Sequence, residues 1–147
     1  MVIRIATSQD LDRLFPLVKN VWSSVSSSLD LYLQFSDMDK ETSAFIIADN
    51  NDEAVGFASV GLRFEYVEGT KTYPVAYLEG ISVKEEHMGK GIAREMVKFC
   101  EDWAKERNCT EFASDCNIEN TQSMDFHKAL GFNEVSRNIH FVKQIGN

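Results

Sequence analysis

No apolar run in the 147 residues is long enough to span a bilayer. The opening Met1-Val2-Ile3-Arg4-Ile5 goes straight into apolar residues, without the basic stretch and apolar core of a secretory leader. These two absences predict a cytoplasmic protein with no membrane partner. Proline is scarce, with 2 residues, and glycine is held to 8, so collagen-like and low-complexity chains are excluded. The 3 cysteines, Cys100, Cys109 and Cys116, cannot all pair within one chain. None has CxxC or CxxH spacing, so no metal site is expected and the thiols read as reduced. Basic charge is also short: 15 Lys and Arg stand against 23 Asp and Glu, for a net charge of −8. Nucleic acid is therefore not an expected partner, because phosphate binding needs a basic face. An acidic surface instead concentrates cations, and otherwise serves solubility.

What remains is an ordinary globular mixture, 44% hydrophobic and 26% charged, of a length that suits one domain over residues 1–147. Val2 to Ile5 reads as a short strand. Thr7 or Ser8 caps a helix whose apolar face is Leu11, Leu14, Phe15, Val18, Val21 and Trp22, with Asp10 in the first turn. Pro16 conflicts with that helix and predicts a kink or a break. Serines from Ser23 to Ser28 predict an interruption, followed by a short helix over Leu29 to Phe35. Strands are expected over Ala44–Ala48, Ala54–Val67 and Val75–Val83. Asp49-Asn50-Asn51-Asp52 and Glu68-Gly69-Thr70-Lys71 supply the turns, and Gly56 or Gly61 marks a bulge. The stripe Ile92, Ala93, Met96, Val97, Cys100, Trp103 and Ala104 makes an amphipathic helix. A strand over Glu111–Asp115 follows, then a helix capped by Asn120 and ended near Gly131, then a strand over Asn133–Lys143. This order predicts a mixed α/β domain built on one sheet.

Chemistry concentrates between Leu78 and Ala93. A strand, Leu78-Glu79-Gly80-Ile81-Ser82-Val83, runs through a polar turn into Met88-Gly89-Lys90-Gly91-Ile92-Ala93, which opens the amphipathic helix. Glycines let backbone approach a ligand closely, and the first amides of a helix lack internal partners at the positive end of its dipole. Together they suit a phosphate, with Lys90 as an added cation. The segment is neither GxxxxGK[ST] nor GxGxxG, since Arg94 stands where a third glycine would be.

Met88-Gly89-Lys90-Gly91-Ile92-Ala93 resembles the pyrophosphate-binding Q/R-x-x-G-x-G/A motif of the GNAT acetyltransferases, with Met88 in place of the usual Gln or Arg. Asn120 and the later Phe126-His127-Lys128-Ala129-Leu130-Gly131-Phe132 resemble that family's Asn helix and closing Leu-Gly-Phe. The resemblance implies a mostly antiparallel central sheet with helices on both faces and one splayed pair of parallel strands. It implies acetyl-CoA as co-substrate. Ile81, Ser82 and Val83 would meet the pantetheine arm, Met88 to Ala93 the pyrophosphate, and Asn120 the CoA arm. The implied reaction is direct attack of a neutral amine on the thioester. His127 takes the place where the family often has a tyrosine acid for the leaving thiolate, a task an imidazole also suits. Relatives in the family are often dimers, and the final strand would pair across such an interface.

A narrower resemblance, to the aminoglycoside 6'-N-acetyltransferases, rests on several segments. They are Trp22, Arg63-Phe64-Glu65-Tyr66-Val67-Glu68-Gly69-Thr70, Leu78-Glu79-Gly80-Ile81, Trp103-Ala104-Lys105 and Cys109-Thr110-Glu111-Phe112-Ala113-Ser114-Asp115. It implies that Trp22 and Tyr66 wall a site for a small cationic amine. Glu79 and Asp115 would bind ammonium groups, Glu79 would take the attacking amine's proton, and Glu134 would lie nearby. Ser23-Ser24-Val25-Ser26, Lys71 and Ser136 stand where that group carries acidic residues. Three readings stay open at this point: an aminoglycoside acetyltransferase, an acetyltransferase for another amine, and a CoA-binding module without catalysis.

Overall fold

The computed structural model describes residues 1–147. They form two compact units, residues 1–115 and residues 116–147.

The first unit contains β1 (Val2–Ile5), α1 (Leu11–Val21), α2 (Ser28–Asp37), β2 (Ser43–Asn50), β3 (Glu53–Arg63), β4 (Val75–Val83), α3 (Ile92–Lys105) and β5 (Phe112–Ser114). The five strands lie in the order β1-β2-β3-β4-β5. Each neighbouring pair is antiparallel except β4 and β5, which run parallel. The central strand β3 is buried continuously from Ala54 to Gly61, because helices cover both of its faces. On one face Phe57 joins a core with Leu11, Leu14, Leu17 and Val18 of α1 and Leu31 and Phe35 of α2. On the other, a Cβ placed on Gly56 would stand 2.8 Å from Met96 Cε of α3.

Most expected elements form for the expected reasons. The α3 stripe is buried at Ile92, Met96, Val97, Cys100, Trp103 and Ala104. The β2–β3 hairpin turns on Asn51 and Asp52, both in the left-handed region at φ 52° and 69°. Asn and Asp tolerate that conformation, which a two-residue hairpin loop of matching twist requires. Ser27 caps α2 by accepting from the Asp30 N–H at 3.0 Å. Burial pushes the Cys100 thiol up to about 12, as befits a core residue.

Five expectations need correction. Pro16 does not divide α1, which is continuous from Leu11 to Val21. The bond it removes would have gone to the Asp12 carbonyl, only one turn into the helix. β3 ends at Arg63 rather than Val67, and β5 keeps only Phe112–Ser114. The bulges leave Val55 unpaired in β3, beside Gly56, and Glu79 unpaired in β4; Gly61 stays in register with Tyr77. Most clearly, residues 133–147 form no strand. A strand exists only where its N–H and C=O groups join a ladder, and this segment joins none, so Ile139, Phe141 and Val142 stay exposed.

Asp10 is not just a first-turn anion. It is buried at 3% exposure and accepts from Arg4 Nη1 and Nη2 at 2.8 Å each, Arg13 Nη2 at 2.6 Å and the Thr7 N–H at 2.8 Å. Arg4 also reaches Asp49 at 2.9 Å, fastening β1, α1 and β2 together.

The second unit contains α4 (Thr121–Ala129). Asn120 caps it, accepting from the Ser123 N–H at 3.0 Å. Gly131, at φ 92°, closes it as expected, with the Phe132 N–H donating to the His127 carbonyl at 3.0 Å.

Candidate active site

The β4–β5 ladder spans only Ala76↔Phe112, Tyr77↔Ala113 and Leu78↔Ser114, whereas β4 continues to Val83. From Gly80 onward β4 keeps its partner on the β3 side and has none on the β5 side. Backbone N–H and C=O groups of the run holding Ile81, Ser82 and Val83 therefore face an opening. An extended ligand with amide groups can pair there as a strand would.

Beyond this run the chain turns into α3. Lys84 Nζ and His87 Nε2 reach Glu53 Oε1 at 3.2 and 3.6 Å, holding the turn to the start of β3. Gly89 and Gly91 adopt φ 80° and 81°, and nothing lies within 4 Å of where a Cβ would be on either. Gly91 occupies the N-cap of α3 without any side-chain cap bond. Met88, Gly89, Lys90 and Gly91 are exposed, Ile92 is buried and Ala93 is half-buried. An open glycine turn before an uncapped helix start fits a diphosphate, whose oxygens accept from backbone amides.

Beside the opening lies a chain of polar groups that sequence reasoning found only in part. Glu79 is held by Arg63 at the end of β3: Nη2 donates to Oε1 at 2.6 Å and Oε2 at 2.9 Å, and Nε donates to Oε1 at 3.0 Å. The same guanidinium lies 4.0 Å over the Tyr77 ring. The Tyr77 phenol donates to Asp115 Oδ2 at 2.6 Å. Burial, then the bond to Asp115, pushes the Tyr77 phenol far above its ordinary range, so it stays a donor at any physiological pH. Burial pulls the Arg63 guanidinium down, but Glu79 outweighs it and holds it above its ordinary value. Arg63 and Tyr77 were missed as functional residues. The available signal was that Tyr77 and Glu79, two apart on β4, share a face. That Arg63 reaches them depends on the hairpin register, which sets Arg63 against Val75 and Gly61 against Tyr77.

Next to the bulge at Glu79, Gly80 faces the end of α1. A Cβ there would lie 2.5 Å from Val21 Cγ1 and 3.3 Å from Trp22 Cζ2. Trp22 thus packs against β4 where the opening begins, tilted against Phe45 at 6.1 Å and edge-on to Phe57 at 5.7 Å. Tyr66 is 75% exposed in the β3–β4 loop and lines a recess of about 400 Å³ with Glu65, Thr70, Lys71 and Tyr73. Glu111 fixes this loop to the start of β5 by accepting from the Lys71 and Thr72 N–H groups at 2.8 and 2.7 Å.

The remaining candidates belong to the second unit. Asn120 is engaged as the α4 cap. His127 Nδ1 lies 2.7 Å from the Ser123 carbonyl, so the proton on Nδ1 is donated to that oxygen. Its ring sits edge-on to Phe132 at 5.2 Å. Glu134 is paired with Arg137, which holds its carboxyl below the ordinary range.

Residues 9–132 match the model of the acetyltransferase (GNAT) family. An aminoglycoside N(6')-acetyltransferase type 1 from Acinetobacter haemolyticus is 34% identical over 145 residues, 99% of each chain. A protein of the same description from Stenotrophomonas maltophilia is 35% identical over 95% of this chain and 90% of its own. Among solved structures, the apo aminoglycoside antibiotic 6'-N-acetyltransferase from Acinetobacter haemolyticus superposes with a TM-score of 0.90 at 34% identity, covering 99% of this chain and 100% of that one. Another, AAC(6')-Iy in complex with the bisubstrate analogue CoA-S-monomethyl-acetylneamine, gives 0.88 at 32% identity over 98% of both chains.

Proposed function

The chain belongs to the GNAT acetyltransferase family, and from that premise we propose that it transfers the acetyl group of acetyl-CoA to a primary amine, the 6'-amino group of an aminoglycoside. The observation that carries this reading is the end of the β4–β5 ladder at Leu78↔Ser114, directly beside Glu79 and Asp115. It gives a thioester-bearing arm a place to lie as a strand next to anionic side chains. Relatives at 34% and 35% identity over nearly the whole chain carry the aminoglycoside name, and a structural neighbour holds a CoA–acetylneamine analogue. Both units are taken as parts of one acetyltransferase domain, since the family match runs through residue 132.

In this reading, backbone groups of Ile81, Ser82 and Val83 pair with the pantetheine arm. Amides from Met88 to Ala93 hold the pyrophosphate, with Lys90 as a nearby cation. Met88 brings no side-chain donor, so backbone does this work. Asn120 is assigned to the CoA arm, and Trp22 and Tyr66 to the walls of the acceptor site. Asp115 receives an ammonium group of the acceptor by charge-assisted hydrogen bonding, and Glu134 a further one.

The reacting amine must be neutral. Its lone pair forms the C–N bond to the acetyl carbon, the C–S bond breaks, and its electron pair leaves on sulfur. Nitrogen then sheds a proton to Glu79, directly or through water, and sulfur gains one from His127. Strand amides meet the developing oxyanion. Products are the acetamide and CoA thiol.

A thiol-release assay over a panel of amines tests this. Turnover of kanamycin is expected; turnover confined to polyamines, amino sugars or peptide N-termini moves the acceptor outside the aminoglycosides. The Ser23–Ser26 segment and Lys71, where carboxylates are missing, favour that second reading. If acetyl-CoA binds in calorimetry and no amine consumes it, the chain is a binding module. Exposed Val135, Ile139, Phe141 and Val142 further support a homodimer paired through the final segment, which sedimentation checks.

A further inference from the structure

The resemblance implies that Glu79 binds an ammonium group and takes the attacking amine's proton. In the structure both of its oxygens accept from Arg63, at 2.6 and 2.9 Å from Nη2, and Nε adds a third bond at 3.0 Å. The guanidinium is held from its other side by the Tyr77 ring at 4.0 Å, and the Tyr77 phenol is committed to Asp115. Such a bidentate, stacked arginine is not an incidental surface ion pair, because fork and ring fix its plane.

Direct acetyl transfer requires the neutral amine, while an unpaired carboxylate stabilises the ammonium form. A naked Glu79 would therefore bind the acceptor well and hold it in the wrong protonation state. We propose that Arg63 is a positioning residue that offsets the charge of Glu79, so that this carboxylate accepts a hydrogen bond from the reacting amine without locking it as ammonium. This rests on the acetyltransferase reading above. It divides the labour between the two carboxylates. Asp115, which accepts from the uncharged Tyr77 phenol and keeps its negative charge, carries the acceptor's fixed positive charge, and Glu79, paired with Arg63, handles the nitrogen that reacts. The charged and titratable groups around Glu79 are Arg63 and Glu65 from the β3 end, Tyr77 on β4 and Asp115 after β5. At the end of α1, the apolar Val21 and Trp22 pack against Gly80, the next residue of β4. Arg63 is therefore the single cation among them.

The test is the pH dependence of kcat and KM for kanamycin with saturating acetyl-CoA, in wild type, Arg63→Gln and Arg63→Lys, with melting temperatures to confirm folding. In Arg63→Gln the rising limb of kcat is expected to move up by about one pH unit. The kcat value is then about tenfold lower on that limb and recovers at high pH, while KM falls rather than rises. Arg63→Lys, which keeps the charge without the fork, is expected to leave the limb near the wild-type position. A uniform loss of kcat at every pH, an unchanged profile, or a Lys variant shifted as far as Gln would each overturn the proposal. Should the wild type acetylate no amine of the panel above, the acetyltransferase reading falls and takes the proposal with it. Turnover by the wild type with coincident profiles sinks the proposal alone.

Discussion

The Tyr77 phenol, from the first half of β4, donates to Asp115 Oδ2 at 2.6 Å just past the end of β5. The bond crosses the last point at which these two parallel strands are paired. Asp115 thus has a fixed partner where the strands begin to part, and its orientation is set before any acceptor arrives. Tyr77→Phe keeps the ring under Arg63 and removes only this bond. A hydrogen bond to a charged group contributes about 1.5 kcal/mol or more, so we expect kcat/KM for an aminoglycoside to fall about tenfold. The melting temperature should change little, because Asp115 is exposed to water. Asp115→Ala should lose more, with the fold equally intact.

Gly80 and Gly56 make a paired experiment on packing. A Cβ at Gly80 meets Val21 Cγ1 at 2.5 Å, a stiff β-branched side chain at the end of α1. A Cβ at Gly56 meets Met96 Cε at 2.8 Å, the far end of a flexible side chain. Gly80→Ala is therefore expected to cost about 2 kcal/mol, and Gly56→Ala clearly less. Denaturant unfolding of the two variants decides the order.

The Asp10 cluster gives a pH dependence with a definite sign. Hydrogen bonds from Arg4, above all, hold the Asp10 carboxyl well below the usual carboxylate range. Its folded-state value lies below its unfolded one, so its contribution is complete above the ordinary carboxylate pKa of about 3.9 and is lost as pH falls below it. Asp10→Asn should destabilise by about 3 kcal/mol at pH 7, since it leaves two arginines short of a partner. Below about pH 3 the gap between variant and wild type should narrow. A gap that stays constant from pH 7 to pH 2.5 would contradict this account.

Gly89 and Gly91 both adopt positive φ in open space. Alanine at either position meets no atom, so its cost is conformational, about 1 kcal/mol of strain. The turn is nevertheless expected to shift and misdirect its amides. Each variant should bind acetyl-CoA more weakly in calorimetry while melting within a few degrees of wild type.

The linear order of residues was enough to read the helical stripes of α1 and α3, the Asn51-Asp52 hairpin, the glycine turn before α3 and the cap at Asn120. Each is a local matter, settled by periodicity or by which residues tolerate a left-handed backbone. Glu79 and Asp115 enter as candidates through resemblance, and their roles rest on the proposal above. What local pattern could not contain was everything fixed by pairing between distant strands. The bulge that leaves Glu79 unpaired beside Gly80 arises from the register of β3 on β4. The fork from Arg63 to Glu79 spans sixteen residues of chain and exists only because that hairpin closes as it does. The stretch from Asn133 to Lys143 has the composition of a strand and forms none, since a ladder needs a partner that no amino-acid pattern supplies by itself. Sequence thus determined which chemical groups are present and which segments curl or extend. Tertiary structure decided which of those charges meet and cancel, because electrostatic pairing depends on distance in space rather than separation along the chain.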